Sequence, residues 1–301
     1  MKSLGILGAS SLLGDSLVHR SYISNSTPIQ LYEHNTSLSK YLDFATIHSN
    51  LDAFFLSSDV IVSFIPIWEL VSILYSIDSV LIHLKKIVAL SSTSAQTKLN
   101  SSDRWEAQYA QRFLHSEKRL SDYCLSNRVQ LCIVRPTMIW GNCRDLNISF
   151  IQKFISRFGF FILPSYGLGL RWPIHYLDLF DLVFLLSQGA ACGTFTARGR
   201  QALTYFEMVS KIFQWLDIRS NVFVIPPFFL PLVALVARVV TSKPYINIAS
   251  FQRIDDTEAT ISDDSTVLIS ASYFEPQFGS DLYNSTFLAK SVNHLIYTLF
   301  K

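Results

Sequence analysis

The sequence predicts an α/β fold in which helices cover both faces of a parallel sheet. Short, nearly continuous apolar runs recur along the first half of the chain, as expected of strands that are buried on both faces. Longer segments with apolar residues at helical spacing separate these runs. Half of the 301 residues are apolar and 16% are charged, which excludes a disordered chain and allows a sizeable core.

The first element is a short strand that leads through a turn of small residues into a helix. The apolar residues over 4–7 predict the strand, and Gly8 and Gly14 frame the turn. A pyrophosphate needs close approach to the backbone, free N–H groups at a helix start and tight helix–strand packing. Ser11 stands at the middle position, where glycine is usual. The turn therefore predicts a dinucleotide site formed by Gly8, Ala9, Ser10, Ser11, Leu12 and Gly14.

The second strand, Ile29–Tyr32, ends at an acidic residue. Glu33 follows Gly14 by about nineteen residues, the place where an acid hydrogen-bonds the ribose hydroxyls of NAD. A carboxylate repels a 2′-phosphate, so Glu33 predicts NAD(H) in preference to NADP(H). Arg20 could still reach such a phosphate, which leaves NADP(H) as the open alternative.

Further strands and helices complete the first part of the chain. The predicted elements are a strand over 59–66 halted by Pro66, a helix over Trp68–Leu84, a strand over Lys86–Leu90, a helix from Ser102-Asp103 to about Leu125, and a strand over Val129–Val134. The long helix has an apolar stripe that we expect to be buried: Trp105, Tyr109, Phe113, Ser116, Leu120 and Tyr123. Ligands of parallel sheets bind beyond the carboxyl ends of the strands. One edge should therefore collect the Gly8 turn, Glu33, Phe64–Pro66, Ser91–Thr93 and Pro136–Gly141.

The second part of the chain alternates less regularly and predicts a smaller, partly interleaved lobe. Its expected elements are a helix over Asn147–Phe158, a loop or hairpin over Phe160–Leu170, a short strand over Arg171–His175, a helix over Leu177–Gln188, a helix opened by a Thr204–Glu207 capping box and ending at Leu216, and a strand over Asn221–Pro226. We expect one domain over 1–141 and the other over 142–301.

Composition and charge exclude several classes of partner. A formal net charge of +2, with Lys and Arg scattered, gives no electrostatic case for nucleic acid. The four cysteines show no C-x-x-C spacing and no nearby histidine pair, which predicts reduced thiols in a cytoplasmic protein and no metal site. The apolar segment over 222–240 is interrupted by Pro226, Pro227, Pro231 and Arg238, so we expect neither a membrane span nor membrane contact.

Six motifs carry a resemblance to a known family across nearly the whole chain. They are LGASSLLG at the start, DVIVSFIP, IVALSSTS, RPTMIWG, RWPIHYLDL and TYFEMVSKIF. In this order they resemble the extended short-chain dehydrogenase/reductase superfamily, the NAD-dependent epimerase/dehydratase group that acts mostly on sugar nucleotides. RPTMIWG is similar to the family's Arg-Pro-x-x-x-Tyr-Gly box, with Trp140 in place of the tyrosine. The resemblance implies a doubly wound Rossmann domain, a C-terminal substrate lobe and bound NAD(H) or NADP(H).

The chain departs from the family at the catalytic pair. Active members of the family combine a Ser or Thr with a Tyr-x-x-x-Lys motif. The lysine ammonium and the ring of the cofactor lower the pKa of the tyrosine phenol far below its ordinary value of about 10. Thr93 matches the hydroxyl position. One register pairs Tyr109 with Phe113 and the other pairs Leu114 with Lys118, so neither gives the pair. The chain thus resembles the atypical branch.

Two interpretations of Tyr109 stay open. Arg112 lies one helical turn away and could supply a positive charge to the phenol. Alternatively, Tyr109 and Phe113 both belong to the buried stripe of their helix. Thr93 is also open, between orienting a substrate carbonyl or nicotinamide amide and bonding the local backbone.

The remaining candidates lie at strand ends and in the crossing segment. The resemblance extends the cofactor site to Phe64, Ser91, Pro136 and Met138, and it suggests substrate contacts at Asn142, Arg171 and His175. An arginine can grip a diphosphate bidentately. Arg135 is open between the cofactor edge and a structural salt bridge.

The leading hypothesis is an NAD(P)-dependent oxidoreductase or epimerase that acts on a nucleotide sugar or a similar small polar molecule, with Thr93 and Tyr109 at the substrate oxygen. The alternative is a non-catalytic dinucleotide-binding protein, a redox sensor or a scaffold subunit, which the missing pair favours. A third hypothesis uses the apolar 222–240 segment at a membrane surface. The oligomeric state is open, with a homodimer among the options.

Overall fold

The structure, a computed structural model, describes residues 3–23, 28–32, 38–41, 43, 45–77, 83–141, 145, 147–229, 266–270 and 272–275. The chain divides into two compact units. The first comprises Met1–Thr137, Leu179–Ala197 and Thr260–Leu268, and the second comprises Met138–Asp178, Arg198–Ala259 and Ile269–Lys301.

The strands, in chain order, are β1 Leu4–Leu7, β2 Ile29–Tyr32, β3 Thr46–His48, β4 Val60–Ser63, β5 Lys86–Leu90, β6 Gln130–Pro136, β7 Ile139–Trp140, β8 Phe161–Pro164, β9 Leu170–Arg171, β10 Ile174–His175, β11 Gly193–Arg198, β12 Leu203–Thr204, β13 Val222–Ile225 and β14 Thr266–Ile269. The α-helices are α1 Leu12–Ile23, α2 Leu51–Leu56, α3 Ile67–Ser76, α4 Ser94–Thr97, α5 Arg104–Ser126, α6 Ile148–Phe158, α7 Tyr176–Gln188 and α8 Tyr205–Trp215. Short 3₁₀ turns cover Ser39–Tyr41 and Pro227–Phe229.

A parallel sheet forms the centre of the first unit. Seven of its described strands run parallel in the order β3-β2-β1-β4-β5-β6-β11, with β14 beside β11. The order starts at β1 and grows outward in both directions, as in a doubly wound sheet. The expected α/β class and parallel sheet are therefore confirmed.

The central strands form where the chain is apolar without interruption. Every residue of β1 and β4 is buried, since helices cover both faces of the sheet. On one face, Phe54, Leu70 and Leu120 belong to a core cluster that the strand residues Ile61 and Ile87 complete. Helix α3 joins this core through Ile67, Leu70, Val71 and Leu74, at the spacing of one helical face.

A buried lysine ties the last parallel strand into the sheet. The Nζ atom of Lys86 donates hydrogen bonds of 2.8 Å to the carbonyl oxygens of Gly189 and Ala191, which follow the end of α7. The thiol of Cys132 donates to the Ala191 carbonyl as well, at 2.9 Å. The polypeptide that leads into β11 is thus held at the amino ends of β5 and β6.

Several predicted boundaries in the first unit are wrong. Helix α3 ends at Ser76, because Ile77 is extended, and residues 78–82 lie outside the described part. The polar stretch 34–50, for which we predicted no element, contains β3, and α2 follows it. In α5 the side chain of Trp105 is 81% exposed and that of Tyr109 is 44% exposed. The predicted burial of Phe113, Ser116 and Leu120 is confirmed, and Ala110, Glu117 and Cys124 are buried as well.

The second unit combines α6 and α8 with short strand pairs. Of the loop or hairpin expected over Phe160–Leu170, the hairpin is wrong, since β8 pairs in parallel with β13, and a loop joins β8 to β9. The strand expected over Arg171–His175 is two short strands, since β9 pairs with β12 and β10 pairs with β7. The capping box of α8 is confirmed, with Glu207 N donating to Thr204 Oγ1 at 3.1 Å and Thr204 N donating to Glu207 Oε2 at 2.7 Å. The core of this unit includes Trp140, Ile151, Leu163, Met208, Phe213 and Phe274.

The described part of the chain has no helix that is long and apolar enough to cross a membrane. Of the apolar 222–240 segment, the structure describes only β13 and the turn at Pro227–Phe229, and residues 230–240 lie outside the described part. Among the described cysteines, Cys124 and Cys132 are buried free thiols and Cys192 is an exposed one.

Candidate cofactor and substrate sites

The turn after β1 has the backbone geometry that a phosphate group needs. Gly8 has a φ of +81°, in the left-handed region that favours glycine. A Cβ atom built at Gly8 would lie 3.2 Å from the carbonyl carbon of Phe64 and 3.2 Å from Cγ2 of Ile65. The N–H of Phe64 donates to the carbonyl of Leu7 at 2.9 Å, which joins the ends of β1 and β4. Both conformation and space therefore require glycine at this position.

The helix that follows packs directly onto this turn. A Cβ atom at Gly14 would collide with the carbonyl oxygen of Gly8 and lie 2.8 Å from Cα of Ala9. The first-turn N–H groups of Leu12 and Leu13 have no acceptor within the helix, so they can donate to a ligand. A pyrophosphate fits this cradle, because the small residues admit the backbone approach and the helix start supplies N–H groups and a positive dipole end.

Ser11 has a structural role that the glycine pattern did not predict. Its hydroxyl oxygen accepts a hydrogen bond from the N–H of Gly14 at 3.0 Å, and its own N–H donates to the carbonyl of Gly8 at 3.0 Å. Ser11 therefore caps α1. The serine itself was the signal for this cap, since serine is among the preferred residues before a helix.

A buried tyrosine supports the turn from the other side. The hydroxyl of Tyr41 donates to the carboxylate of Asp15 and lies 3.4 Å from the carbonyl oxygen of Ala9. Nζ of Lys40 donates to the same carboxylate at 2.7 Å. Burial opposes ionisation of Asp15, but the hydrogen bonds from Lys40 and Tyr41 outweigh it and lower the pKa of Asp15. The sequence has no local pattern that links residues so far apart.

Thr93 lies at the carboxyl end of the neighbouring strands and bonds to the backbone. Its hydroxyl donates to the carbonyl of Pro136 at 3.2 Å, and its N–H donates to the same oxygen at 3.2 Å. The hydroxyl thus bonds the backbone of a distant residue at the end of β6, and the choice between the two interpretations stays open. The hydroxyl oxygen keeps its lone pairs and can still accept a hydrogen bond.

Ser91 is engaged in a buried network. Its hydroxyl donates to Oε1 of Glu117 at 2.5 Å, and Nε of Arg135 donates to the same oxygen at 3.0 Å. A second guanidinium nitrogen of Arg135 donates to Oε2 of Glu117. The side chains of Arg135 and Glu117 are only 11% and 7% exposed. Arg135 therefore forms a structural salt bridge, the second of its two open interpretations.

An aromatic cluster surrounds Tyr109 and Phe113, which one of the two registers aligns with the family's Tyr–Lys pair. The ring of Phe113 is buried, with its centroid 5.0 Å from that of Tyr109 and 5.2 Å from that of Trp68. The guanidinium of Arg112 lies 4.2 Å above the Trp68 ring, which Tyr109 meets at 5.7 Å. Phe113 belongs to the buried stripe, as one interpretation had it, whereas Tyr109 is too exposed to belong to it.

The second unit contains two of the expected substrate residues. Arg171 is buried and donates from its guanidinium to the carbonyl of Leu170 at 2.8 Å. The ring of His175 lies 4.5 Å from that of Trp140, and burial lowers the pKa of His175 to about 4. Burial raises the pKa of the Tyr205 hydroxyl to about 12, and the charge of Arg171 acts in the opposite direction. Met138 packs against the core of this unit.

Some predicted residues lie outside the described part of the chain. These are Glu33 and Asn142, together with the side chains of Leu12 and Arg20. Among the residues that the structure does describe, no group of three or more His, Cys, Asp or Glu side chains could hold a metal ion.

No protein-family model and no curated protein sequence matches this chain. Solved structures do. A UDP-glucose 4-epimerase from Thermotoga maritima with UDP-glucose is 11% identical, with a TM-score of 0.59 over 74% of this chain and 85% of that chain. A dTDP-glucose 4,6-dehydratase from Bacillus anthracis in complex with NAD is 14% identical, with a TM-score of 0.58 over the same shares. MoeE5 in complex with UDP-glucose and NAD is 12% identical, with a TM-score of 0.60 over 99% of this chain and 98% of that chain.

These likenesses define the class of fold. The chain has the Rossmann-type fold that these solved structures share. The fold that the sequence motifs implied is therefore confirmed.

Proposed function

We propose that this chain binds NAD(H) at the carboxyl edge of its sheet and uses it, as an oxidoreductase or epimerase, on a nucleotide sugar or a similar small polar molecule. The observation that carries the proposal is the Gly8 turn. Its positive φ, its contact with Gly14 and the start of α1 form a cradle for a pyrophosphate. The similar structures named above that hold NAD are consistent with this assignment.

The cofactor would lie along the residues that the strand ends present. The N–H groups at the start of α1 would hold the phosphates, and Glu33 would hold the adenosine ribose, which favours NAD(H) over NADP(H). Phe64, Ser91, Pro136 and Met138 are the proposed contacts for the rest of the molecule. When bound, the nicotinamide supplies a group that accepts or donates a hydride.

Thr93 and Tyr109 are the proposed groups at the substrate oxygen. Because the Thr93 hydroxyl donates its proton to the carbonyl of Pro136, its oxygen can accept a hydrogen bond from a substrate hydroxyl but does not donate one. The exposed phenol of Tyr109 is within reach of a ligand, and Arg112 places a positive charge on the ring beside it. These two residues replace a pair that the chain lacks.

Substrate contacts are proposed for the second part of the chain. Arg171 provides a guanidinium for a diphosphate, while Asn142 and His175 provide polar contacts. This assignment keeps the division into a cofactor part over 1–141 and a substrate part over 142–301. Both the contacts and the division are predictions of the sequence.

A second candidate function is a non-catalytic dinucleotide-binding protein, such as a redox sensor or a scaffold subunit. One observation favours it. Phe113 fills the family's lysine position with a buried ring that contacts Trp68 and Tyr109, so no ammonium stands beside the phenol at that position. Both candidates share the cofactor site and differ only in turnover.

Titration with NAD(H) and NADP(H) tests the shared site. We expect NADH to bind more tightly than NADPH, and Gly8→Ala to weaken binding at least about tenfold, since a side chain is strained at this φ and crowds Phe64. Gly159→Ala is the matched control, because Gly159 also has a positive φ, of +73°, but its Cβ would meet open space. A parent chain that binds neither dinucleotide contradicts the proposal.

Turnover distinguishes the two candidates. A panel of UDP-linked and dTDP-linked sugars is incubated with the chain and NAD, and products are separated by chromatography. Epimerised, dehydrated or oxidised product supports the enzyme. Tight NAD binding without product from any sugar supports the sensor or scaffold.

A further inference from the structure

The outer side of α6 is aromatic where a surface helix is ordinarily polar. Its inner side buries Ile148, Ile151 and Ile155. Phe150, Phe154 and Phe158 follow at intervals of four residues along one flank of this buried side, and the first and last of these are exposed. A helix that packs against one core normally presents polar residues to solvent. Packing within the second unit explains Phe154, which contacts the core of that unit, but it does not explain the exposed side chains of Phe150 and Phe158.

The aromatic side of α6 continues onto the neighbouring strands. We call this surface the aromatic face and define it by Phe150, Phe154, Phe158, Phe160, Phe223 and Phe228. Ring centroids lie 6.2 Å apart for Phe150–Phe154, 4.7 Å for Phe154–Phe158 and 5.7 Å for Phe154–Phe160. The ring of Phe223, on β13, lies 5.8 Å from that of Phe160.

The far end of the aromatic face is the most exposed. Phe223 is 60% exposed and Phe228, in the turn after β13, is 74% exposed. Ile162 of β8, which pairs with Phe223 and lies on the same face of the strand pair, is exposed as well. Contiguous apolar surface of this kind marks a site that binds a protein or a membrane.

Positive charges surround the aromatic face. Lys153 and Arg157 are exposed on α6, and Arg219 is exposed just before β13. The guanidinium of Arg157 lies 5.7 Å from the centre of the Phe158 ring. The segments 146–165 and 218–229, which form the face, contain these three cations, and Asp145 and Asp217 are the acidic residues that flank the segments.

We propose that the aromatic face docks on an anionic lipid surface. The phenylalanine rings would enter the boundary between headgroups and acyl chains, and the three cations would lie against the lipid phosphates. A second copy of this chain fits less well, because a symmetric contact would bring the same cations face to face. The site lies wholly on the second unit and is independent of the cofactor site. It revises the expectation that the chain avoids membranes.

Flotation of the full chain with lipid vesicles tests the proposal. We expect binding to vesicles of phosphatidylserine and phosphatidylcholine, at least about tenfold weaker binding to phosphatidylcholine alone, and loss of binding as salt increases. The variants Phe158→Ser/Phe223→Ser and Lys153→Glu/Arg157→Glu should each weaken binding at least about tenfold. Both change exposed side chains, so thermal unfolding should match that of the parent.

Matched controls change equally exposed residues of the first unit. Leu125→Ser removes an exposed apolar side chain of α5, and Arg104→Glu/Lys118→Glu reverses two exposed charges on the same helix. Both should bind vesicles as the parent does. Absence of vesicle binding overturns the proposal, as do controls that lose as much binding as the test variants. A parent that is dimeric by light scattering, does not float, and becomes monomeric with Phe158→Ser/Phe223→Ser assigns the face to a second copy instead.

Discussion

Glu117 and Arg135 form a bidentate ion pair beneath the carboxyl edge of the sheet, and the same carboxylate accepts the hydroxyl proton of Ser91. The pair joins the middle of α5 to the end of β6. Since both side chains are nearly buried, each charge depends on the other for its partner.

Removing one member of this pair should destabilise the protein strongly. We expect Arg135→Met to lower the free energy of unfolding by about 3–5 kcal/mol, because it leaves a buried carboxylate without its cation. Urea denaturation monitored by circular dichroism measures the change. In the double variant Glu117→Leu/Arg135→Met the loss should be smaller than the sum of the two single losses. Additive losses would contradict the direct pairing.

The cap of α1 gives a second prediction about stability. Ser11→Ala should cost about 1 kcal/mol of unfolding free energy, because the N–H of Gly14 loses its acceptor, whereas Ser11→Gly should cost only a few tenths. Ser11→Gly also restores the residue usual at this position, so NADH binding should be retained. Equal losses for alanine and glycine would show that the hydroxyl does not cap the helix.

Catalysis by Tyr109 and Thr93 predicts a specific loss of rate. With a nucleotide sugar that the chain converts, Tyr109→Phe should lower kcat about a hundredfold while keeping the ring contacts with Trp68 and Phe113. Thr93→Val should reduce kcat in the same direction, and Thr93→Ser should retain it. Tyr75→Phe, which removes the hydroxyl of another exposed tyrosine, is the control. Full activity in both Tyr109→Phe and Thr93→Val would show that the catalytic assignment is wrong.

His175 predicts how stability depends on pH. Burial lowers its pKa in the folded state to about 4, below the ordinary value of 6.5. Between these values the unfolded chain binds a proton that the folded chain does not, so stability is greatest above about pH 6.5 and falls as the pH drops towards 4. We expect His175 to account for about 2–3 kcal/mol of this loss.

The variant His175→Phe keeps an aromatic ring beside Trp140 and removes the proton site. Its unfolding free energy, measured by urea denaturation at steps between pH 7 and pH 4, should fall less steeply than that of the parent. The exposed His115, changed to Phe, serves as the control and should leave the slope unchanged. The same slope for His175→Phe and the parent would refute the assignment.

The strands and the Gly8 turn could be predicted because their causes are local. A strand buried on both faces is apolar along its length, and a turn with a positive φ requires glycine, as at Gly8. The stripe of α5 was placed less well. Trp105 and Tyr109, at the start of the helix, are exposed, whereas Phe113, Ser116 and Leu120 further along the same stripe are buried.

The supports of the site could not be predicted, since they join residues that are distant in sequence. Tyr41 reaches Asp15 and Ala9 across 26 and 32 residues, and Arg135 reaches Glu117 across 18. Only the folded sheet brings these pairs together. Ser11 is a different case, because a serine just before a helix indicated a cap, but the same position also belongs to the glycine pattern of a dinucleotide-binding turn.

The contacts of Lys86 have a consequence for biosynthesis. Strand β6 acquires its outer neighbour, β11, only after the whole of 137–192 has left the ribosome, and the Lys86 ammonium acquires its two carbonyl acceptors at the same moment. Until then the outer edge of β6 in the nascent chain has no pairing strand, and the Lys86 ammonium lacks its acceptors in an apolar environment. A truncated protein that ends at residue 141 would keep the edge of β6 unpaired and Lys86 without its acceptors, and we expect it to precipitate.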